Sequence, residues 1–93
     1  MSPSTHARDL LREIARDPKG ELRHTETFGG TFIETNGRNF TLGATAREVA
    51  NWKAALKELV KASYVTETSS KCVYELTRSG YDFVDACSNQ LVL

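Results

Sequence analysis

The sequence has few of the residues and none of the spacings from which common enzyme sites are built. Histidine occurs only as His6 and His24, and cysteine only as Cys72 and Cys87. The spacings of a zinc-protease helix, a CxxC metal site, a phosphate-binding loop and a GxSxG nucleophile turn are all absent. Acidic residues form no cluster with metal-ligand spacing. The sequence therefore predicts a protein without catalytic activity, metal or cofactor.

The chain also lacks long apolar runs and a cysteine framework. No stretch approaches the roughly 20 apolar residues of a membrane span, and the first ten residues, MSPSTHARDL, contain no apolar signal core. We interpret Cys72 and Cys87 as reduced thiols, although a bridge between them is also compatible with the sequence. These features predict a cytoplasmic protein.

An excess of basic residues is missing as well, because 12 Lys and Arg stand against 12 Asp and Glu. DNA-binding domains usually carry a basic excess, since phosphate contacts dominate their affinity. Any basic surface of this chain must therefore come from the segregation of charges. With 93 residues the chain is expected to be one domain, residues 1–93.

Apolar periodicity and turn residues divide the first half of the chain. A helix is predicted over Ser4–Arg16, ended by Asp17-Pro18. A β-meander follows, with turns at Gly29-Gly30 and Asn36-Gly37. Its three strands are predicted at Leu22–Phe28, Thr31–Thr35 and Arg38–Leu42. Its apolar side is expected to consist of Phe28, Phe32, Ile33, Phe40 and Leu42.

The second half begins with a capping box, Thr45 to Glu48, which predicts a long helix over Ala46–Ala62. Trp52 lies on its apolar face and is expected in the core. A hairpin is then predicted, with strands Tyr64–Glu67 and Cys72–Leu76 and a turn at Thr68–Lys71. Thr77 caps a last helix, Arg78–Cys87, with Tyr81, Phe83, Val84 and Ala86 giving it apolar contact. Two alternatives remain open for the tail Ser88–Leu93: it docks on the core, or it contacts a partner. This order predicts the α+β class.

The long helix carries a basic stripe. Lys53, Lys57 and Lys61 are spaced by four residues, Arg47 falls within about 120° of Lys53 on a helical wheel, and Asn51 borders them. Glu58 at the rim weakens the stripe. Such a stripe is typical of a solvated helix face, and it is equally suited to phosphate contacts. Lys71 at the hairpin tip and Arg78 after the hairpin add basic charge nearby.

The segment WKAALKELVKASYVTETSSKCVYELTRSGYDFVD, residues 52–85, resembles the second half of a winged-helix domain. The resemblance is carried by Ala55-Leu56, Leu59-Val60, Tyr64-Val65, Tyr74–Thr77 and Gly80–Val84, and Ala7–Ala15 as a first helix extends it. It implies a winged-helix-like fold similar to small modules of bacterial regulatory and phage-defence proteins. The sequence departs from the family where Glu21–Leu42 looks β-rich, because a helix is expected there.

The resemblance implies nucleic-acid binding, with DNA as the favoured target, in a regulatory or accessory role. Recognition-helix and wing contacts would then come from seven residues: Arg47, Asn51, Lys53, Lys57, Lys61, Lys71 and Arg78. The alternative is a protein-interaction module, as a homodimer, with another protein partner, or as one domain of a larger bacterial protein. The neutral net charge and the apolar Leu91–Leu93 favour this alternative.

Overall fold

A computed structural model of the protein describes the backbone of residues 3–92 and the side chains of residues 3–87. Within this range the chain forms three helices and five strands. In chain order they are α1 (Thr5–Arg16), β1 (Glu21–Thr27), β2 (Gly30–Thr35), β3 (Arg38–Asn39), α2 (Ala46–Lys61), β4 (Val65–Glu67), β5 (Val73–Leu76) and α3 (Arg78–Val92). The prediction of the α+β class is confirmed.

The five strands form one antiparallel sheet in the order β3-β2-β1-β5-β4. The N-terminal meander and the later hairpin therefore share a sheet, joined where β1 pairs with β5. Leu22 lies opposite Tyr74 at this junction, and the amide of His24 donates to the carbonyl of Cys72 at 2.9 Å. The pairing fixes the position of the β4–β5 hairpin relative to the first half of the chain.

The helices cover one face of this sheet. Leu22, Ile33, Val65 and Leu76 point from four different strands into the core, as the period of two in a strand requires. The opposite face is polar and carries Arg23, Glu34, Thr66 and Glu75 in exposed positions. The buried core consists of Ala7, Leu10, Leu11, Ile14, Leu22, Ile33, Phe40, Trp52, Ala55, Leu56, Leu59, Val65 and Leu76.

Helices α1 and α2 begin at hydroxyl side chains that cap them, and for α2 this is the predicted Thr45. Ser4 Oγ accepts a hydrogen bond from the amide of Ala7 at 3.2 Å, and Thr45 Oγ1 accepts one from the amide of Glu48 at 3.2 Å. Trp52 is buried between the His6 and Phe40 rings, with centroids 4.8 and 4.7 Å away. The expectation that Trp52 belongs to the core is confirmed.

Two turns show why particular residues stand where they do. Asn36 and Gly37 adopt positive φ angles of 52° and 75°, as a type I′ hairpin turn requires, so the predicted turn is confirmed. Gly80, in the first turn of α3, lies against the strand layer. A Cβ at this position would collide with the Tyr64 carbonyl oxygen and the Leu76 side chain.

The predicted apolar side of the meander is wrong at three of its five positions. Phe28 falls in the turn and is fully exposed, Leu42 is also exposed, and Phe32 is half-buried on the face away from the helices. The third strand ends at Asn39, well before Leu42. The Asn39 side-chain oxygen accepts from the amides of Thr41 and Leu42 at 3.0 and 3.1 Å, and this local bonding replaces the strand ladder.

The last helix is longer than predicted and runs to Val92 instead of ending at Cys87. Phe83 and Val84 pack against the core as expected. Tyr81 and Ala86 are exposed, so the apolar contact predicted for them is weaker than expected. The prediction of a docked tail concerns residues that lie outside the described part, namely Leu93 and the side chains of residues 88–92.

Two further observations concern the sequence predictions about cysteines and membranes. The Cys72 and Cys87 thiols are both free, with Cys72 exposed and Cys87 half-buried. This agrees with their interpretation as reduced thiols. Within residues 3–92, no helix has the length and apolar character needed to cross a membrane.

Candidate functional site

The exposed face of α2 carries four basic residues in a row along the helix. Four basic residues and two alanines project from it into solvent, and we call this set the basic ridge: Arg47, Ala50, Lys53, Ala54, Lys57 and Lys61. The ridge lies opposite the buried face of the helix, which contains Trp52, Ala55, Leu56 and Leu59. It extends for about 21 Å, at 1.5 Å per residue. Amphipathic packing of α2 therefore leaves these cations in solvent.

Both acidic residues of α2 lie on the flank that faces α1. The carboxylate of Glu58 accepts a hydrogen bond from the amide of Ser4 at 2.8 Å. The carboxylate of Glu48 lies 3.3 Å from His6 Nε2. Packing of α1 thus engages both carboxylates. Glu58 still lies about 20° from Arg47 and about 60° from Lys61 on the helical wheel, so it borders the basic ridge, as expected from the sequence.

One cation of the ridge has an acidic partner from the sheet. Lys53 Nζ lies 3.1 Å from the Glu26 carboxylate near the end of β1. The hydrogen bond from Lys53, together with its positive charge, lowers the pKa of Glu26 below its ordinary value. The ion pair connects the middle of α2 to the β1–β2 hairpin, and it is exposed to solvent on both sides.

A groove of about 490 Å³ separates the ridge from the sheet. Lys53 and Lys57 line one wall, while His24, Glu67 and Tyr74 line the other. The Tyr74 hydroxyl donates to Glu67 at 3.4 Å, and burial followed by the Glu67 charge raises the pKa of Tyr74. His24 Nε2 is buried without a hydrogen bond, with the Glu26 carboxylate 3.7 Å away.

The groove continues into a second depression of about 380 Å³ that shares His24, Glu67 and Tyr74 and reaches Lys71. Lys71 lies in the turn of the β4–β5 hairpin. Thr68 orders this turn: its hydroxyl donates to the Val73 carbonyl at 3.0 Å and accepts from the Ser70 amide at 3.1 Å. A cationic side chain is therefore presented on a structured turn next to the groove.

The structure brings together only some of the residues predicted from the sequence. Four of them lie on the ridge: Arg47, Lys53, Lys57 and Lys61. Lys71 lines the second depression, which shares His24, Glu67 and Tyr74 with the groove beside the ridge.

The remaining two predicted residues lie elsewhere. Asn51 is half-buried on the flank toward α1, about 160° around the helix from Lys53. Arg78 is exposed at the start of α3, beyond the end of α2, where the Thr77 hydroxyl donates to the Ser63 carbonyl at 2.6 Å.

Sequence reasoning missed the sheet side of this site. His24 and Glu26 alternate with Arg23 and Thr25 along β1, so a strand assignment alone places them on one face. Which face meets α2 depends on the pairing of β1 with β5. Tyr74, in the second strand of the predicted hairpin, also forms a wall of the groove. In the described part of the chain, no three His, Cys, Asp or Glu side chains are grouped so as to hold a metal ion.

Comparison with known proteins identified no relative of this chain. No protein-family model matches the chain, and neither a curated protein nor a solved structure is significantly similar to it. The resemblance to winged-helix domains thus rests on the sequence pattern of residues 52–85, and the functional conclusion rests on the geometry of α2 and its neighbours.

Proposed function

We propose that this chain is a winged-helix-like DNA-binding domain that contacts the duplex with the basic ridge. The observation that carries the proposal is the sorting of charges on α2. The charged residues of the ridge are all basic, while the carboxylates of Glu48 and Glu58 contact His6 of α1 and its cap Ser4. A chain without net charge thereby acquires a surface that attracts phosphates.

The dimensions of α2 fit this function. An α-helix with its side chains is about 10–12 Å in diameter, close to the width of about 12 Å of the DNA major groove. Ala50 and Ala54 have short side chains in the middle of the ridge, so the helix backbone there can come near the base edges. The longer basic side chains around them are placed to reach phosphates at the groove walls.

The chemistry of the ridge favours binding with little sequence preference. Lysine contacts to phosphate fix the position of a protein on DNA but carry no sequence information. Asn51, the residue suited to reading an adenine edge, is turned toward α1 and does not belong to the ridge. A regulatory or accessory role, in which another factor supplies the sequence specificity, agrees with such a surface.

The β4–β5 hairpin takes the place of the wing in this proposal. Its turn is ordered by Thr68, it presents Lys71, and its strand β5 is fixed to β1. A second element with a cation beside the helix would add a phosphate contact outside the major groove.

The proposal is tested by titrating a fluorescent duplex of mixed sequence at several salt concentrations. Contact of the four ridge cations with phosphates predicts that log K falls with log salt with a slope of about −3.6, and a fifth contact from Lys71 would bring the slope to about −4.5. The double variant Lys53→Glu, Lys57→Glu is expected to lower the affinity by about tenfold or more at low salt. Circular dichroism and a denaturation curve establish that both proteins are folded.

A matched control separates the ridge from general charge. The double variant Lys19→Glu, Arg23→Glu changes the net charge by the same amount. Both residues are exposed and lie away from α2: Arg23 on the far face of the sheet, and Lys19 in the loop before β1. It is expected to bind nearly as well as the wild type. Absence of binding at low salt, or equal losses in both double variants, would contradict the proposal and direct attention to a protein partner.

A further inference from the structure

Phe28 occupies the tip of the β1–β2 hairpin with its side chain fully exposed. Thr27 pairs with Gly30, so Phe28 and Gly29 form a two-residue loop beyond the last strand pair. Apolar side chains stabilise a fold when their surface is buried. The exposed Phe28 ring therefore contributes no such free energy to the folding of this chain. The position of Phe28 is therefore unexplained by folding.

The tip is nevertheless a structured turn. Thr27 Oγ1 accepts a hydrogen bond from the amide of Gly29 at 3.1 Å and donates one to the carbonyl of Gly30 at 3.2 Å. Gly30 has a φ of 127°, which only glycine adopts readily. Because the turn is already ordered, placing the Phe28 ring against a partner needs little further loss of conformational entropy.

The hairpin lies directly beside the basic ridge. Glu26, two residues before Phe28, is 3.1 Å from Lys53 Nζ through its carboxylate. Two strand residues span about 7 Å, so the tip begins a short distance beyond the middle of the ridge. A duplex held by Lys53 and Lys57 would lie within reach of Phe28.

We propose that Phe28 inserts as an apolar wedge at a base step of the duplex that the basic ridge binds. The inference rests on the proposed DNA binding and adds a second contact element to it. Proteins that bind the minor groove use Phe, Leu and Ile side chains as such wedges, which partly unstack one step and kink the duplex toward the major groove. Gly29 and Gly30 keep the tip thin: a Cβ on Gly30 would meet nothing within 4 Å, and one on Gly29 would meet only Thr27 Oγ1, at 3.5 Å.

The size of the tip favours a base step over a protein surface. One aromatic ring buries about 150–250 Å², whereas a stable protein interface needs about 800 Å² on each partner. The residues around Phe28, namely Thr27, Gly29 and Gly30, add no further large apolar side chain. A single ring is sufficient for a wedge and too little for a stable dimer of this chain.

The experiment measures bending and binding together. Duplexes labelled at both ends with a donor and an acceptor report the end-to-end distance by energy transfer, and one set contains a central mismatch that is easily unstacked. Wild-type protein is expected to shorten the end-to-end distance and to bind the mismatched duplex about tenfold more tightly than the matched one, because unstacking is easier there.

Two variants at one position provide the test and its control. Phe28→Ala is expected to abolish the bend and the mismatch preference, while the salt dependence set by the ridge is retained. Phe28→Leu, which keeps an apolar wedge, is expected to restore much of both. The ridge variant Lys53→Glu, Lys57→Glu is expected to lose binding to either duplex.

The results distinguish this inference from the proposed function. Salt-dependent binding without bending, or identical bending by wild type and Phe28→Ala, overturns the wedge and leaves the ridge in place. Failure of the wild type to bind any duplex overturns both. A Phe28→Ala variant that differs from wild type only in self-association, measured by sedimentation, assigns Phe28 to a second copy of the chain and also overturns the wedge.

Discussion

Lys53 Nζ lies 3.1 Å from the carboxylate of Glu26, and this ion pair links the basic ridge of α2 to the β1–β2 hairpin. The ion pair has two consequences. It fixes the hairpin next to the ridge, and it occupies one of the cations that the proposed function assigns to phosphate. Both consequences are open to measurement.

Removing the cation is expected to raise the pKa of Glu26. The hydrogen bond and positive charge of Lys53 lower this pKa, so Lys53→Met should return it toward its ordinary value. Carboxyl chemical shifts followed by NMR during an acid titration measure the change. A lowered carboxyl pKa stabilises the fold above the unfolded-state pKa, and this stabilisation is lost as the pH falls through the lowered value. An unchanged Glu26 titration in Lys53→Met would show that the pair is not formed in solution.

Neutralising Glu26 is expected to strengthen DNA binding. Glu26→Gln frees Lys53 for phosphate and removes a negative charge beside the ridge. Because exposed ion pairs are weak, we expect a gain of roughly two- to fivefold at low salt. The control is Glu34→Gln, which removes the same charge from the sheet face away from α2. Equal gains in the two variants would assign the effect to net charge and not to Lys53.

Gly80→Ala is expected to destabilise the fold. A Cβ on Gly80 has no room between the Tyr64 carbonyl and the Leu76 side chain, so α3 must move away from the sheet. A loss of about 2 kcal/mol in the free energy of unfolding is the typical cost of such overpacking. Denaturant unfolding measures it, with the exposed neighbour Ser79→Ala as the control. Similar stabilities of the two variants would mean that α3 is not seated against β4 and β5 as described.

Cys72→Gly is expected to stabilise the fold. Cys72 adopts a positive φ of 68° in the β4–β5 turn, a conformation that costs L-residues about 1 kcal/mol and glycine little. The gain is expected to be about 1 kcal/mol at most, because glycine also makes the unfolded chain more flexible. Cys72→Ala removes the thiol but keeps the Cβ, so it should leave the stability nearly unchanged. A stabilisation of the same size in Cys72→Ala would trace the effect to the thiol.

Local signals in the sequence predicted the local structure well. The Thr45–Glu48 capping box places the start of α2, and Asn36-Gly37 places the β2–β3 turn, because each acts through bonds between residues close in the chain. The end of β3 was missed for a related reason. The Asn39 side chain bonds the amides of Thr41 and Leu42, and this competes with a strand that the apolar residues alone favour.

Long-range relationships were beyond the reach of sequence patterns. The position of His24 and Tyr74 in one groove depends on the pairing of β1 with β5, for which no residue type is diagnostic. The basic stripe was predicted from helical spacing alone. The hydrogen bond that the Glu58 carboxylate accepts from the Ser4 amide depends on the packing of α1, which the spacing does not encode.

The pairing of β1 with β5 also orders events during synthesis. Residues 21–23 find their partner strand only at residues 73–75, so the central ladder of the sheet cannot close until most of the chain has left the ribosome. Until then, the edge of β1 that later meets β5 has open amides and carbonyls, and an unpaired strand edge is a template for pairing with other chains. A chain truncated before residue 73 would therefore keep this edge of β1 open and is expected to aggregate, whereas a chain that includes β5 closes the edge.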